Sequence, residues 1–227
     1  MQFLGSIDFS PLIITLKTGV VATVFSFFLG IYAAWKIEKM SGRVKAFFDG
    51  ILTLPLVLPP TVAGYFLLLI FSTNRPFGAM LDNTVHIRVV QTWLGCVVAA
   101  TVIAFPLMYR NARGAFEQVD KNVLAAARTI GMSENKIFWR VLLPMAKPGI
   151  LSGTVLTFAR ALGEYGATSM LAGNIPGKTS TVAQKIAMVM LDNDFVTAGF
   201  YVSIIVMISF LCIYFMNIGC CVRKSSK

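Results

Sequence analysis

Five stretches of this chain are apolar over the length a helix needs to cross a bilayer, about 20 residues: 12–35, 50–71, 92–109, 148–171 and 198–220. That pattern removes most folds from consideration. In hydrocarbon, each backbone N–H and C=O must find a partner inside the protein, which leaves helices or a closed barrel. Long apolar runs without strict alternation read as helices. Charged residues make up 13% of the 227 residues and hydrophobic ones 56%, whereas soluble domains average about 25% charged. The expected fold is all-α: a polytopic membrane helical bundle of about five spans, forming a single transmembrane domain over 1–227 with short loops.

The basic residues orient this bundle. Of 20 Lys and Arg residues, fourteen fall on one side: Lys36, Lys39, Arg43 and Lys45, seven between Arg110 and Lys147, and Arg223, Lys224 and Lys227. The other side receives Arg75, Arg88, Lys178 and Lys185, while Lys17 and Arg160 lie within spans. Positive residues gather on the cytoplasmic face. The N-terminus is therefore expected outside and the C-terminus in the cytoplasm, as an odd number of crossings requires. The first span does not read as a cleaved signal peptide, because it is long and its basic cluster follows the apolar run instead of preceding it. A sixth crossing over 179–197 is opposed by Lys185, Asp192 and Asp194; residues 181–191 read as a short amphipathic helix at the outer face.

Composition also excludes function classes. The formal charge of +10 flanks apolar spans and forms no free basic face, so nucleic acid is not an expected partner. Cys96, Cys212, Cys220 and Cys221 lack CxxC spacing and suggest neither a zinc site nor a disulfide framework. His86 is the single histidine, which rules against a Ser–His hydrolase or a histidine metal centre. Residues 173–179 (GNIPGKT) are one residue short of a phosphate-binding loop and follow no strand. No catalytic residue, metal or cofactor is expected in this chain, so any ATP hydrolysis belongs to another one.

Between the third and fourth spans lies a polar insert at about 120–147. Val123, Leu124, Ala127 and Ile130 recur at helical spacing. Gly131 breaks that helix as a C-terminal glycine does. Ser133 is placed to cap a second helix, with Glu134 in its first turn. Ile137, Val141 and Leu142 form its apolar face, Lys136 and Arg140 its basic one, and Pro144 is expected to end it. Two short helices joined at a glycine, on the cytoplasmic side, suit either an interfacial element or a handle for a soluble motor.

The insert resembles the "EAA" loop of binding-protein-dependent ABC importer permeases. Ala126, Ala127, Gly131, Leu143 and Pro144 match that pattern, while the family's Glu falls on Ala125 and its Ile on Val141. LPLVLPPTVAGYFLL (54–68) and FARALGEYGATSMLAGNIPGKTST (158–181) resemble the molybdate permease branch, with sulfate permeases as near relatives. The similarity spans roughly residues 10–215. It implies a type I ABC importer transmembrane fold in a bacterial or archaeal cytoplasmic membrane. It also implies a homodimer with a second permease copy, two cytoplasmic ABC ATPase subunits, and a periplasmic or lipid-anchored oxyanion-binding protein. Ala126, Ala127, Gly131, Ser133, Val141, Leu143 and Pro144 would couple to the ATPase. Tungstate and sulfate are alternative cargoes.

Two polar features lie at membrane depth, where charge is costly and usually functional or paired. Arg160 and Glu164 are one helical turn apart, on a face that Gly153, Thr157 and Thr168 continue. This stripe either lines the anion route or packs against the symmetry mate, or else the pair locks neighbouring helices. Pro59 and Pro60 interrupt the second span beside Thr61 and Gly64. Prolines free backbone carbonyls one turn earlier, so this break reads as a gate or as a packing kink. An ion-gradient-driven secondary transporter is the alternative of a different class, with Glu164 as its one candidate coupling carboxylate.

Overall fold

The computed structural model describes residues 8–221, with side chains through residue 214. Arg223, Lys224 and Lys227 lie outside the described residues, as do the side chains of Cys220 and Cys221. Among the described residues all regular structure is helical. Four helices are long and apolar enough to cross a membrane, and a bent pair makes a fifth candidate.

The centre of the bundle is α1 (Ser10–Glu38), α5 (Trp93–Glu117) and α8 (Leu143–Leu162). Their contacts are made by small residues. Ala22, Ala100, Ala104 and Ala161 form one buried cluster, and a Cβ on Gly30 would sit 2.9 Å from the Met108 side chain. Lipid tails are as apolar as leucine, so helices in a bilayer associate by close packing and polar contacts, and small residues permit both. The outward surfaces carry large apolar groups such as Phe25, Phe28, Phe66, Val206 and Phe210. On the peripheral α11 (Phe195–Cys221), that is a lipid-facing pattern.

The second span is interrupted at Pro59–Pro60 as expected, but it starts earlier than the expected 50–71. Its first half, α2 (Gly42–Val57), begins eight residues early and takes Arg43 and Lys45 into the helix; its second half is α3 (Pro60–Phe71). The axes bend by 111° at the break. The cause is local: a residue preceding proline is driven out of the α region, and here Leu58 precedes Pro59 and Pro59 precedes Pro60. Both are extended, with ψ of 143° and 134°.

The fourth span also differs. It was expected to run unbroken over 148–171, but α8 stops at Leu162 and a separate helix, α9 (Gly166–Ala172), follows. Thr168 therefore sits on a different helix from Gly153 and Thr157. At the other end Pro144 does not terminate the loop helix. Short α7 (Glu134–Ile137) runs through a π-turn, Phe138–Leu142, into α8. The Leu143 N–H donates to the Phe138 carbonyl, five residues back. This wider turn absorbs the proline that follows, which has no N–H to give and a ring that crowds the preceding turn.

The remaining helices are α4 (Pro76–Met80), continued by a π-turn at Leu81–Val85, then α6 (Lys121–Thr129) and α10 (Val182–Leu191). At ten residues, or about 15 Å, α10 is too short to cross, in line with the sequence expectation. It is tied down by Gln184, whose Oε1 accepts the Thr181 N–H (2.9 Å) and whose Nε2 donates to the Gly173 carbonyl (2.9 Å). The Val182 N–H donates to Thr15 Oγ1 near the start of α1 (2.8 Å). The α6–α7 loop lies at the opposite end of α1, where Trp35 meets Phe138.

Candidate coupling loop and gate

The loop is built by helix-end chemistry. The Asp120 carboxylate accepts the Asn122 N–H (2.8 Å) and starts α6. At its other end the Met132 N–H reaches the Ala127 carbonyl (3.1 Å) and the Gly131 N–H reaches that of Arg128 (2.9 Å). This pair of bonds is the Schellman arrangement, and it needs a left-handed residue; Gly131 has φ of +80°. Ser133 occupies the N-cap position of α7 as expected, but its hydroxyl makes no capping bond. The turn is closed by an ion pair, Arg128 Nε to Glu134 Oε1 at 2.7 Å, with Lys39 at 3.9 Å from Glu134 Oε2. The Arg128 hydrogen bond holds the Glu134 carboxyl below its ordinary value, with Lys39 adding to the effect. A carboxylate so stabilised keeps the turn closed at neutral pH, and that contribution fades as pH falls through its lowered folded-state value.

The loop is anchored on one side and bare on the other. Phe138 is buried between Trp35 of α1, at 4.6 Å between ring centroids, and Phe116 of α5. Ala127 and Ile137 are buried with it, and Val141 and Leu143 are half-buried. Ala126, Gly131, Ser133 and Pro144 are exposed. The expected apolar stripe of α6 is divided. Leu124 and Ala127 face inward, while Val123 and Ile130 face out, Ile130 at 77% exposure. Trp139, which the sequence reading passed over, is 66% exposed. Its large ring in a basic segment was the available signal. Ala126, Ile130 and Gly131 thus form a small apolar knuckle with nothing among the described residues over it. Behind the knuckle lies a cleft of about 640 Å³ lined by Trp35, Lys39, Phe116, Lys121, Leu124 and Phe138 among others.

The second group of expected residues converges on the break in the second span. A Cβ on Gly166 would lie 3.0 Å from Pro60 Cβ and 3.2 Å from the Thr61 nitrogen; one on Gly64 would lie 2.7 Å from Ala167 Cα. Helices α3 and α9 therefore run side by side in the same direction with their N-termini level. Two residues before Gly166, Glu164 is 2% exposed. Its Oε2 accepts from Arg160 Nη1 (3.0 Å) and its Oε1 from the Ala167 N–H (2.7 Å). One carboxylate thus pairs the end of α8 and caps the start of α9, which is why the helix can break at Gly163–Tyr165 with little loss. Pro59, Pro60, Thr61, Arg160 and Glu164 lie in one neighbourhood, though about a hundred positions separate the two groups. Two positions of the polar stripe expected along α8 face the interior of the bundle. Gly153 abuts Asn111, and the Thr157 hydroxyl donates to the Gly153 carbonyl (2.7 Å).

The Gly64 contact leads to a test. Gly64→Val is expected to push α3 off the α9 backbone and lower stability by about 2 kcal/mol, the scale of overpacking a tight contact. Thermal unfolding of the purified protein in detergent reads it, and an unshifted midpoint would contradict the packing described.

The comparisons with known proteins agree with this architecture. Residues 26–219 match the family described as "Binding-protein-dependent transport system inner membrane component". The chain is 38% identical over 209 residues to the putative molybdenum transport system permease protein YvgM of Bacillus subtilis (strain 168), covering 92% of each. It is 42% identical over 175 residues to the molybdenum transport system permease protein ModB of Escherichia coli (strain K12), covering 77% of this chain and 76% of that one. Its fold is similar to a chain in an inward-facing crystal structure of the MetNI methionine ABC transporter, with TM-score 0.72, 16% identity and 91% of both chains covered. By family match and by shared fold, this chain belongs to the binding-protein-dependent transport system inner membrane components and is a multi-pass protein of the cytoplasmic membrane.

Proposed function

We propose that this chain is the permease subunit of an ATP-driven importer of molybdate. It works as a homodimer with two separate ATPase subunits and an external oxyanion-binding protein. The observation that carries the cargo is the identity to molybdenum permeases over more than three quarters of the chain. The knuckle at Ala126, Ile130 and Gly131 supports the coupling role. It is bare on the side that faces away from the bundle, and Phe138 ties it firmly to α1 and α5. Movement of a docked ATPase then moves the ends of the central helices, and the ligand-dependent shift between inward- and outward-facing states follows. The N-terminus lies outside and the loop in the cytoplasm, as the basic residues indicate.

The anion passes where Pro59, Pro60 and Thr61 meet Gly166, beside Arg160. Broken backbone is tolerated at depth where it lines a cavity, and the positive end of α3 favours an oxyanion there. Arg160 is neutralised by Glu164, so it does not trap a dianion, and selectivity rests largely on the binding protein. An ion-gradient mechanism is disfavoured by one observation: both oxygens of Glu164, its candidate coupling group, already have partners within the chain.

Two measurements test this reading. Proteoliposomes holding the full complex should take up molybdate only with ATP, with tungstate competing and sulfate competing poorly. Uptake driven by an ion gradient without ATPase subunits would refute it. In a cysteine-free background, Ser133→Cys should react with a membrane-impermeant maleimide from the cytoplasmic side alone; labelling of intact cells would reverse the topology.

A further inference from the structure

We propose that Asp49 is a positioning residue of the transport cycle. It ties α2 to α5 so that displacement of the coupling-loop end of the bundle reaches the break at Pro59–Pro60. The inference rests on the permease reading above and adds the element that carries the motion.

None of the residues of α2 is buried. Phe47, Ile51, Leu54 and Val57 are exposed. In a bilayer such contacts supply little attraction between helices, because lipid solvates them equally well. Leu52 alone of its apolar residues packs on the Met108–Tyr109 core from a half-buried position, and the directional links from α2 to the body are polar. Asp49, the one acidic residue of α2, pairs with Arg113 of α5 and accepts the Tyr109 hydroxyl (2.8 Å). Tyr109 itself is fully buried. Arg113 Nε also donates to Glu117 (2.9 Å), and Lys45 of α2 joins Glu38 at the end of α1 (2.6 Å) and lies 3.9 Å from Glu117. Glu38, Lys45 and Glu117 line the cleft behind the coupling loop. The network therefore begins at the loop and ends at Asp49, ten residues before the break.

The lever is short and stiff. From Asp49 to Pro59 is about 15 Å of helix, so a tilt of about 10° at the anchor carries Pro59 by about 2.6 Å. That is enough to separate Thr61 from Gly166, which are now in contact. Without the anchor, α2 has a packed neighbour but no fixed register, and motion at the loop dissipates before it reaches α3. A link of this kind is established by coupling measurements, not by adjacency alone.

The complete reconstituted complex provides the test. In Asp49→Asn, ATP hydrolysis should stay within about twofold of wild type, while molybdate imported per ATP falls about tenfold, since Arg113 keeps Glu117 as its partner on α5 and the charge-assisted link from α5 to α2 is lost. Asp49→Glu should recover most of the ratio. A purely structural role would lower hydrolysis and uptake together and leave the ratio unchanged, which would overturn the proposal. If Asp49→Asn fails to assemble, Tyr109→Phe removes one hydrogen bond and keeps the ion pair. It should lower the ratio about threefold, and an unaltered ratio would count against Asp49. An arm independent of the anion uses spin labels at Val57 and Leu94. Their distance distribution should be narrow in wild type and broad in Asp49→Asn; equal widths would sink the inference. Absence of ATP-dependent molybdate uptake by wild type would instead refute the cargo reading and leave this arm standing.

Discussion

Replacing Gly131 by proline is expected to release the ATPase from the permease while leaving the membrane bundle folded. Gly131 sits at φ of +80°, and proline is locked near −65°. The substitution also deletes the N–H that reaches the Arg128 carbonyl. Both losses fall on the turn that sets α6 against α7, and together they cost about 3 kcal/mol or more. If that strain is relieved by opening the turn, the knuckle of Ala126 and Ile130 loses its shape, and ATPase affinity should drop roughly a hundredfold. Among the described residues, none beyond its chain neighbours comes within 4 Å of a Cβ built at this position, so the effect is one of backbone conformation and not of crowding. A graded series separates the two. Gly131→Asn should be mild, because asparagine visits the left-handed region, and Gly131→Ala should cost about 1–2 kcal/mol. Titration of ATPase subunits onto detergent-purified permease gives the order. A flat series would mean that the turn does not shape the docking surface.

The second large effect is expected at Arg160. Removing its guanidinium leaves Glu164, 2% exposed, without a counter-ion, and loss of one partner of a buried pair costs about 3 kcal/mol. The Arg160→Ala/Glu164→Ala double variant should be less damaged than Arg160→Ala alone, because no charge is stranded. It should still fall short of wild type by about 1 kcal/mol, the usual value of a helix cap, since α9 loses the carboxylate at its first turn. Thermal unfolding of the four proteins of the cycle gives the coupling directly. If the double variant is as unstable as the single one, the pair is not the main partner of Glu164, and α9 capping carries the site. Uptake should follow the same order, because Thr61 rests on the helix that Glu164 starts.

Much of this was legible in the residues themselves. Hydropathy located all five candidate crossings, because burial in lipid is a local requirement that each segment meets alone. The loop was readable for a similar reason: a C-terminal glycine, an acidic residue in a first turn and a basic helix face are local chemistry. Two of the errors were of one kind. Pro144 was expected to end α7, yet the π-turn at Phe138–Leu142 accommodates it. Thr168 was placed on the face of Thr157, yet Glu164 starts a new helix between them. In both cases a helix-breaking signal was weighed without its hydrogen-bonding partner five or three residues away.

What the amino-acid order determined alone is the solvent, the number of apolar spans and the two-helix handle between the third and fourth. Each follows from side-chain polarity repeated over a few turns. What only the tertiary structure decided is which distant residues meet: Thr61 with Gly166, Arg160 and Glu164 with the start of α9, and Asp49 with Tyr109 and Arg113. The reason is physical. Period and hydropathy state that a helix exists and which face is apolar. In a bilayer, however, apolar faces do not select one another, and the choice falls to small residues and isolated polar groups, whose partners no local pattern names.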